Sequence, residues 1–143
     1  GLILAVHGAN FLGSTDLPAA ALLAALILVS ALLNLFVGSA SAKWALIAPV
    51  MVPMLMLLGI SPEMATGAYR VGDSATNIIT PLMVYFPLIL IFCQRGQSSF
   101  GLGRLVATML PYSIALMIAG LAMTIGWVIL DLPLGPGASV FLD

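Results

Sequence analysis

Charge is what this sequence has least of. Its 143 residues include four Lys or Arg and five Asp or Glu, and charged residues make up only 6% of the chain. A soluble domain carries roughly a quarter charged residues, because its surface must face water. Asp16, Lys43, Glu63, Arg70, Asp73, Arg95, Arg104, Asp131 and Asp143 are too few to cover such a surface. Hydrophobic residues make up 62% and the mean hydropathy is +1.23, so lipid is the expected solvent for most of the chain. The net charge of −1 and the lack of a basic patch predict no nucleic-acid partner. The single cysteine, Cys93, excludes an internal disulfide and any multi-cysteine metal site. No nucleophile elbow, phosphate loop or His-Glu-x-x-His motif is present, and His7 and Cys93 read as structural. An intramembrane protease would need a second acid beside Asp73, and no other carboxylate lies within an apolar run. The chain does not read as an enzyme, and nothing in it calls for an organic cofactor.

What is present is long apolar sequence. Charge-free runs cover Leu17–Ala42, Trp44–Pro62, Ser74–Gln94 and Leu105–Leu130. A membrane-spanning helix needs about 20 mostly apolar residues to cross about 30 Å of hydrocarbon. The expected fold class is therefore an all-α polytopic membrane protein with three to four embedded segments. The chain begins at Gly1 and is apolar from Leu2 onward, as expected for an internal or C-terminal piece of a longer protein.

The organisation follows from the interruptions. Residues 1–16 read as the end of a preceding helix and an outer loop, with Asp16 as the expected N-cap of the next helix and Pro18 in its first turn. Residues 17–61 hold two apolar arms separated by Gly38-Ser-Ala-Ser-Ala-Lys-Trp44. The arms either cross separately or form a re-entrant hairpin tipped at Gly38–Lys43. The second arm, Ala45–Leu58, has about 14 residues and reaches about 21 Å. That length, and a tip of Gly, Ser and Lys that lipid cannot solvate, favour the hairpin.

Residues 62–93 read as a transmembrane helix broken at Asp73-Ser-Ala-Thr-Asn-Ile-Ile-Thr-Pro81. Pro81 lacks an amide hydrogen and disfavours helix at Thr80. Residues 94–104 form a polar loop with two arginines, which the positive-inside rule places in the cytoplasm. Residues 105–143 supply the last transmembrane helix and an outer tail with Asp131 and Asp143.

The polar residues within this apolar frame carry the chemistry. Arg70 and Asp73 sit three apart, where an ionisable pair in the membrane marks a pathway or proton relay, or else makes a structural i,i+3 ion pair. Lys43 and Trp44, at the expected tip, suit an anionic and an aromatic ligand, or alternatively snorkelling and interfacial anchoring. Asn34, on a wholly apolar arm, suits either an alkali-cation site or an interhelical hydrogen bond. Asn77 and the nearby hydroxyls can bond to carbonyls freed by the break, or to an ion.

At this point two strings resemble a known family. Gly38-Ser-Ala-Ser-Ala-Lys-Trp-Ala-Leu-Ile-Ala-Pro49 and Ala68-Tyr-Arg-Val-Gly-Asp-Ser-Ala-Thr-Asn-Ile-Ile-Thr-Pro-Leu-Met83 are similar to the AbgT family of bacterial p-aminobenzoyl-glutamate transporters, some of which export sulfonamides and other antimetabolites. The resemblance runs from about Asn34 to Pro87. It implies the second half of an inverted-repeat transporter that works as a homodimer in the bacterial inner membrane, multi-pass. It also implies cavity-lining positions at Asn34, Ser41, Trp44, Pro62, Arg70, Asp73 and Pro81. Ser41, Trp44, Pro62, Arg70, Asp73 and Pro81 are then the expected substrate-binding residues. Asn34, Ser41, Asp73 and Asn77 are those expected to serve Na⁺ or H⁺ coupling, with any Na⁺ at Asn34. The expected substrate is a small aromatic carboxylate or a sulfonamide. A Na⁺-coupled dicarboxylate carrier of the same architecture is one alternative, and a channel or structural membrane subunit is another.

Overall fold

A computed structural model of the chain describes residues 1–142; Asp143 lies outside the described residues. The described residues form six helices: α1 (Leu2–Gly13), α2 (Ala19–Asn34), α3 (Ala40–Leu57), α4 (Pro62–Asn77), α5 (Phe86–Gly96) and α6 (Leu102–Ile129). Two of them, α3 and α6, are long and apolar enough to cross a membrane, while α1, α2 and α5 are shorter apolar helices.

Helix starts follow local chemistry, though not always where the sequence pointed. Asp16 does not cap α2. It takes a left-handed backbone conformation in the preceding turn, and Pro18 occupies the N-cap position instead. The Ser39 side chain accepts from the Ala42 amide at 3.4 Å, so α3 already begins at Ala40. The connection between the two arms is therefore Leu35–Ser39, and Ser41, Lys43 and Trp44 lie in the first turns of α3 rather than in a loop. With 18 residues, α3 is about 27 Å long, so a short second arm is no longer a reason to expect re-entry.

α4 starts from a better cap. Ser61 accepts from the Met64 amide at 3.2 Å, Pro62 takes a position that needs no amide hydrogen, and Glu63 meets the positive end of the helix dipole. The helix runs through Asp73 and ends only at Asn77. The interruption therefore spans Ile78–Tyr85, later than expected, and Asp73 stands on regular helix. Thr80 closes the end by donating its hydroxyl to the Thr76 carbonyl at 2.8 Å. The polar connection between α5 and α6 shrinks to Gln97–Gly101, with Arg95 and Arg104 on the helices either side.

α4 sits at the centre, packed on α2, α6 and α3, while α1 packs on α3. Small residues make this possible. A Cβ on Gly72 would run into the Ile27 carbonyl and come within 3.1 Å of the Ala31 amide nitrogen, so α2 and α4 meet backbone to backbone. A Cβ on Gly120 would lie 2.5 Å from the Val71 side chain, which sets the approach of α6. Ser113 ties the same pair by donating to the Ala75 carbonyl at 2.7 Å.

The tail after α6 is not a loose end. Ser61 and Leu142 donate their amides to the Val140 and Gly59 carbonyls, both at 2.9 Å, and Ser61 Oγ donates to the Ser139 carbonyl at 2.6 Å. Ile60 and Val140 are fully buried within a core that also takes in Leu23, Ile27, Met64 and Val128. The tail thereby fastens the end of α6 to the α3–α4 turn.

The contrast between two glycines of α4 tests this packing. Gly72→Ala should destabilise the full-length protein by about 1–3 kcal/mol, the usual effect of overpacking. Gly67→Ala, with nothing within 4 Å of the added carbon, should be neutral or stabilise slightly. Thermal unfolding in detergent reads both, and equal melting temperatures would show that the α2–α4 approach is not close.

Candidate functional site

The site is built where α2 ends, α3 begins and α4 nears its end. A lysine in the first turn of a helix lies at the positive end of the dipole, which is unfavourable for a cation. Lys43 tolerates this position because its ammonium donates to Asp73 Oδ1 and, at 2.7 Å, to Asn34 Oδ1. Lys43 and Asp73 are each 2% exposed and Asn34 is fully buried. They form the one ion pair among the described residues. Two charges this far from solvent hold each other; either alone would cost several kcal/mol.

Asn34 is the hub. An ammonium has no lone pair, so the amide oxygen must face Lys43 and the amide nitrogen must face away. That nitrogen is shared among the Asp73 carbonyl at 3.1 Å, Thr76 Oγ1 at 2.9 Å and Asn77 Oδ1 at 2.8 Å. Thr76 in turn donates to the Gly72 carbonyl at 3.0 Å. A second set of contacts surrounds the first. Ser30 donates to the Tyr69 carbonyl at 2.9 Å, and the Tyr69 hydroxyl donates to the Ala40 carbonyl at 2.8 Å. The Trp44 ring lies 4.5 Å from the Tyr69 ring, centre to centre. No buried side-chain nitrogen or oxygen among the described residues lacks a partner.

The structure thus brings Asn34, Asp73 and Asn77 into one network and Trp44 to its edge through Tyr69. Arg70 does not pair with Asp73, which overturns the local i,i+3 ion pair as a reading. Glu63, Gly67, Arg70 and Ser74 form the exposed stripe of α4, whereas Asp73 belongs to its buried face with Tyr69, Gly72 and Thr76. Arg70 has no carboxylate partner among the described residues, and its guanidinium lies 5.9 Å from the centre of the Tyr69 ring. Ser41 is exposed and makes no hydrogen bond to the network. Pro81 is exposed within the Ile78–Tyr85 interruption. Pro62 opens α4 at its other end, about 16 Å along the helix from Asp73. A cleft of about 280 Å³ between α4 and α6 is lined by Met64, Val71, Met123 and Trp127 without any charged side chain, so it is separate from this network.

Sequence reasoning missed Lys43 as the partner of Asp73, and with it Thr76, Tyr69 and Ser30. A charge count was the available signal. Lys43, Arg70 and Asp73 are the ionisable residues of these apolar stretches, one carboxylate for two cations, so Asp73 had a distant candidate as well as a near one. A Na⁺ at Asn34 finds suitable oxygen donors in the Asn34 amide and the Asp73 carboxylate, but both are already bonded to Lys43.

The pair is testable as a unit. Lys43→Met and Asp73→Asn should each destabilise the full-length protein by about 3–5 kcal/mol in Na⁺-free buffer. The double variant should lose clearly less than the two single losses added together, since each removes what the other needs. Thermal unfolding of all four proteins measures this, and strict additivity would mean that the two charges do not hold each other.

Comparison with known proteins assigns the chain to a family. The profile of the AbgT putative transporter family matches residues 1–142. The p-aminobenzoyl-glutamate transport protein of Escherichia coli K12 is 36% identical over 137 residues, covering 96% of this chain and 27% of that protein. The crystal structure of the Alcanivorax borkumensis YdaH transporter, described as having an unusual topology, superposes with a TM-score of 0.91 at 54% identity, over 94% of this chain and 29% of that one. Neisseria gonorrhoeae MtrF, described with a class of antimetabolite efflux pumps, gives a TM-score of 0.83 at 49% identity, over 95% of this chain and 27% of that one. The chain thus spans just over a quarter of the length of these relatives. An all-helical chain with a buried Lys–Asp–Asn network, it belongs to the AbgT putative transporter family.

Proposed function

We propose that this chain belongs to the second repeat of a secondary active transporter of the bacterial inner membrane, which moves p-aminobenzoyl-glutamate-like aromatic carboxylates or sulfonamide antimetabolites by coupling to a Na⁺ or H⁺ gradient. One observation carries the reading: a satisfied ionic network, buried between helices of an otherwise apolar chain, beside a helix that stops short. Ionisable groups at such depth are expensive and mark transport pathways. Interrupted helices near the bilayer midplane supply the ends and carbonyls from which transporters build substrate and ion sites.

On this reading α2 and α3 are the arms of a re-entrant hairpin, and α4 and α5 are the halves of a discontinuous transmembrane helix. An inverted repeat of both, in the rest of the protein, closes the cavity, and two copies form a homodimer. The exposed stripe of α4 faces that cavity. Arg70, free of a carboxylate partner, pairs with the substrate's carboxylate or sulfonyl group, and a fork of donors suits either. Trp44 offers the ring face turned away from Tyr69 to the substrate's aromatic ring. Ser41 and Pro81 line the approach from the α3 start and from the interruption. Pro62 stands at the far end of α4 and shapes the entrance. Asn34, Asp73 and Asn77 serve the coupling cation or proton, with Asp73 the group whose charge must be answered.

Flux in proteoliposomes of the full-length protein tests this, with Na⁺ and H⁺ gradients imposed separately. One gradient should drive saturable movement of p-aminobenzoyl-glutamate or a sulfonamide. Arg70→Ala should raise KM at least tenfold with a smaller change in maximal rate, and Asp73→Asn, in folded protein, should uncouple flux from the gradient. Non-saturable flux that ignores both gradients would make the protein a channel, and displacement of the substrate by a four-carbon dicarboxylate but not by aromatic amides would make it a dicarboxylate carrier.

A further inference from the structure

We infer that the Lys43 ammonium is a tethered cation occupying the seat that a free monovalent cation would take, and that the two are mutually exclusive. The inference rests on the transporter reading above and specifies how its cation site is controlled. Three observations lead to it. The oxygens a small cation needs are present, a carboxylate from Asp73 and an amide oxygen from Asn34, yet the ammonium bonds to both. The seat is closed to water, with all three residues nearly or fully buried. The charges also balance: one carboxylate answers one ammonium, and the network contains no second anion.

Adding a free cation while Lys43 stays would leave a net positive charge in a dry pocket, which costs several kcal/mol. A free cation therefore binds only where Lys43 has withdrawn. The side chain is suited to withdrawal. An ammonium is a compact charge on a flexible four-carbon stem, and its seat lies next to an aromatic face. The centre of the Tyr69 ring is 5.5 Å from Nζ, so the leaving ammonium has a cation–π partner before it reaches the Trp44 side of that ring. Tyr69 is itself held in place by its hydroxyl bond to Ala40, one turn before Lys43 on α3. The seat thus lies between α4 and the first turn of α3, and the change of occupant is a movement of the lysine side chain.

This makes Lys43 a positioning and specificity residue rather than an anchor for anionic substrate. It also sets the apparent cation affinity. When only a fraction of molecules have the seat open, the measured dissociation constant rises by the inverse of that fraction. Removing the lysine should leave Asp73 buried without a partner and hungry for a cation, and the site should then bind more tightly.

The experiment is a Na⁺ titration of thermal stability on purified full-length protein, with choline chloride holding ionic strength constant. Wild type and Lys43→Arg, which retain a tethered cation, should respond weakly. Lys43→Met should melt lower than wild type in choline, recover with Na⁺, and show a half-saturating concentration at least tenfold lower than wild type. Lys43→Met/Asp73→Asn should lose the Na⁺ response altogether. If Lys43→Met does not accumulate, Lys43→Gln, which keeps a donor for Asp73, is read in the same way. A flat Na⁺ response in the lysine variant, or a wild-type response equal to it, overturns the inference, as does a response that survives in the double variant. Wild-type flux on the same preparation decides the transporter reading separately: transport together with a Na⁺-insensitive lysine variant sinks only the exclusion, and failure of flux under every gradient sinks the transporter reading and with it the role of the exclusion in transport, while the titration still decides whether ammonium and ion compete.

Discussion

A lysine ammonium and an aspartate carboxylate buried against each other in an apolar chain impose conditions on everything around them. Each holds the other within hydrogen-bonding distance, and both are almost wholly shielded from water. Lys43 stands in the first turn of α3 and Asp73 in the last two turns of α4, so those two helix ends must converge. Asn34, at the last turn of α2, completes the set by turning its oxygen to the ammonium and its nitrogen to the end of α4. The start of one arm and the end of the other are thereby held to the same point on α4. Broken by substitution at any one member, such a network leaves an unpaired group where solvent cannot compensate, so its members stand or fall together.

The helix that carries Asp73 divides two tasks between its faces. The buried face is built from Ala65, Ala68, Gly72, Ala75 and Thr76, small enough for α2 to approach backbone to backbone at Ile27 and Ala31. Only a close approach of this kind lets an asparagine of α2 reach carbonyls and side chains of α4 directly. The exposed face carries Glu63, Arg70 and Ser74, which none of the six helices among the described residues covers. A polar stripe on a central helix of a membrane protein needs either water or another part of the protein against it. The same helix therefore supplies the anion of the buried network and a cation beyond it, and Lys43 and Arg70 lie 5.5 Å and 5.9 Å from the centre of the Tyr69 ring.

Several features were legible from the residues alone because their causes are local or compositional. The dearth of charge led to an all-helical membrane chain, and Pro81 with Thr80 led to an interruption after α4, since a missing amide hydrogen acts within one turn. The boundaries shifted for reasons equally local but weaker in sequence. Ser39 won the cap that drew Ser41, Lys43 and Trp44 into helix, Pro18 took the position expected of Asp16, and α4 kept its helical ladder through Asp73 to Asn77. The tail appeared in sequence as an exit from the membrane. Its pairing with Gly59–Ser61 depends on backbone groups brought together from distant points of the chain, which composition does not reveal.

By itself the sequence determined that a charged Asp73 must have a cation. It holds a single carboxylate in its apolar runs, and burial without a partner is too costly to sustain. It offered two candidates, Arg70 within one helical turn and Lys43 thirty residues upstream, and nearness along the chain favoured the wrong one. The choice was tertiary. Helical rotation turns Asp73 toward α2 and α3 and Arg70 away from them, and the Gly72 contact sets α2 close enough for Asn34 to complete the seat. Which cation a carboxylate holds is decided by the face it occupies and by what packs there, and a linear chain of residues does not contain that distance.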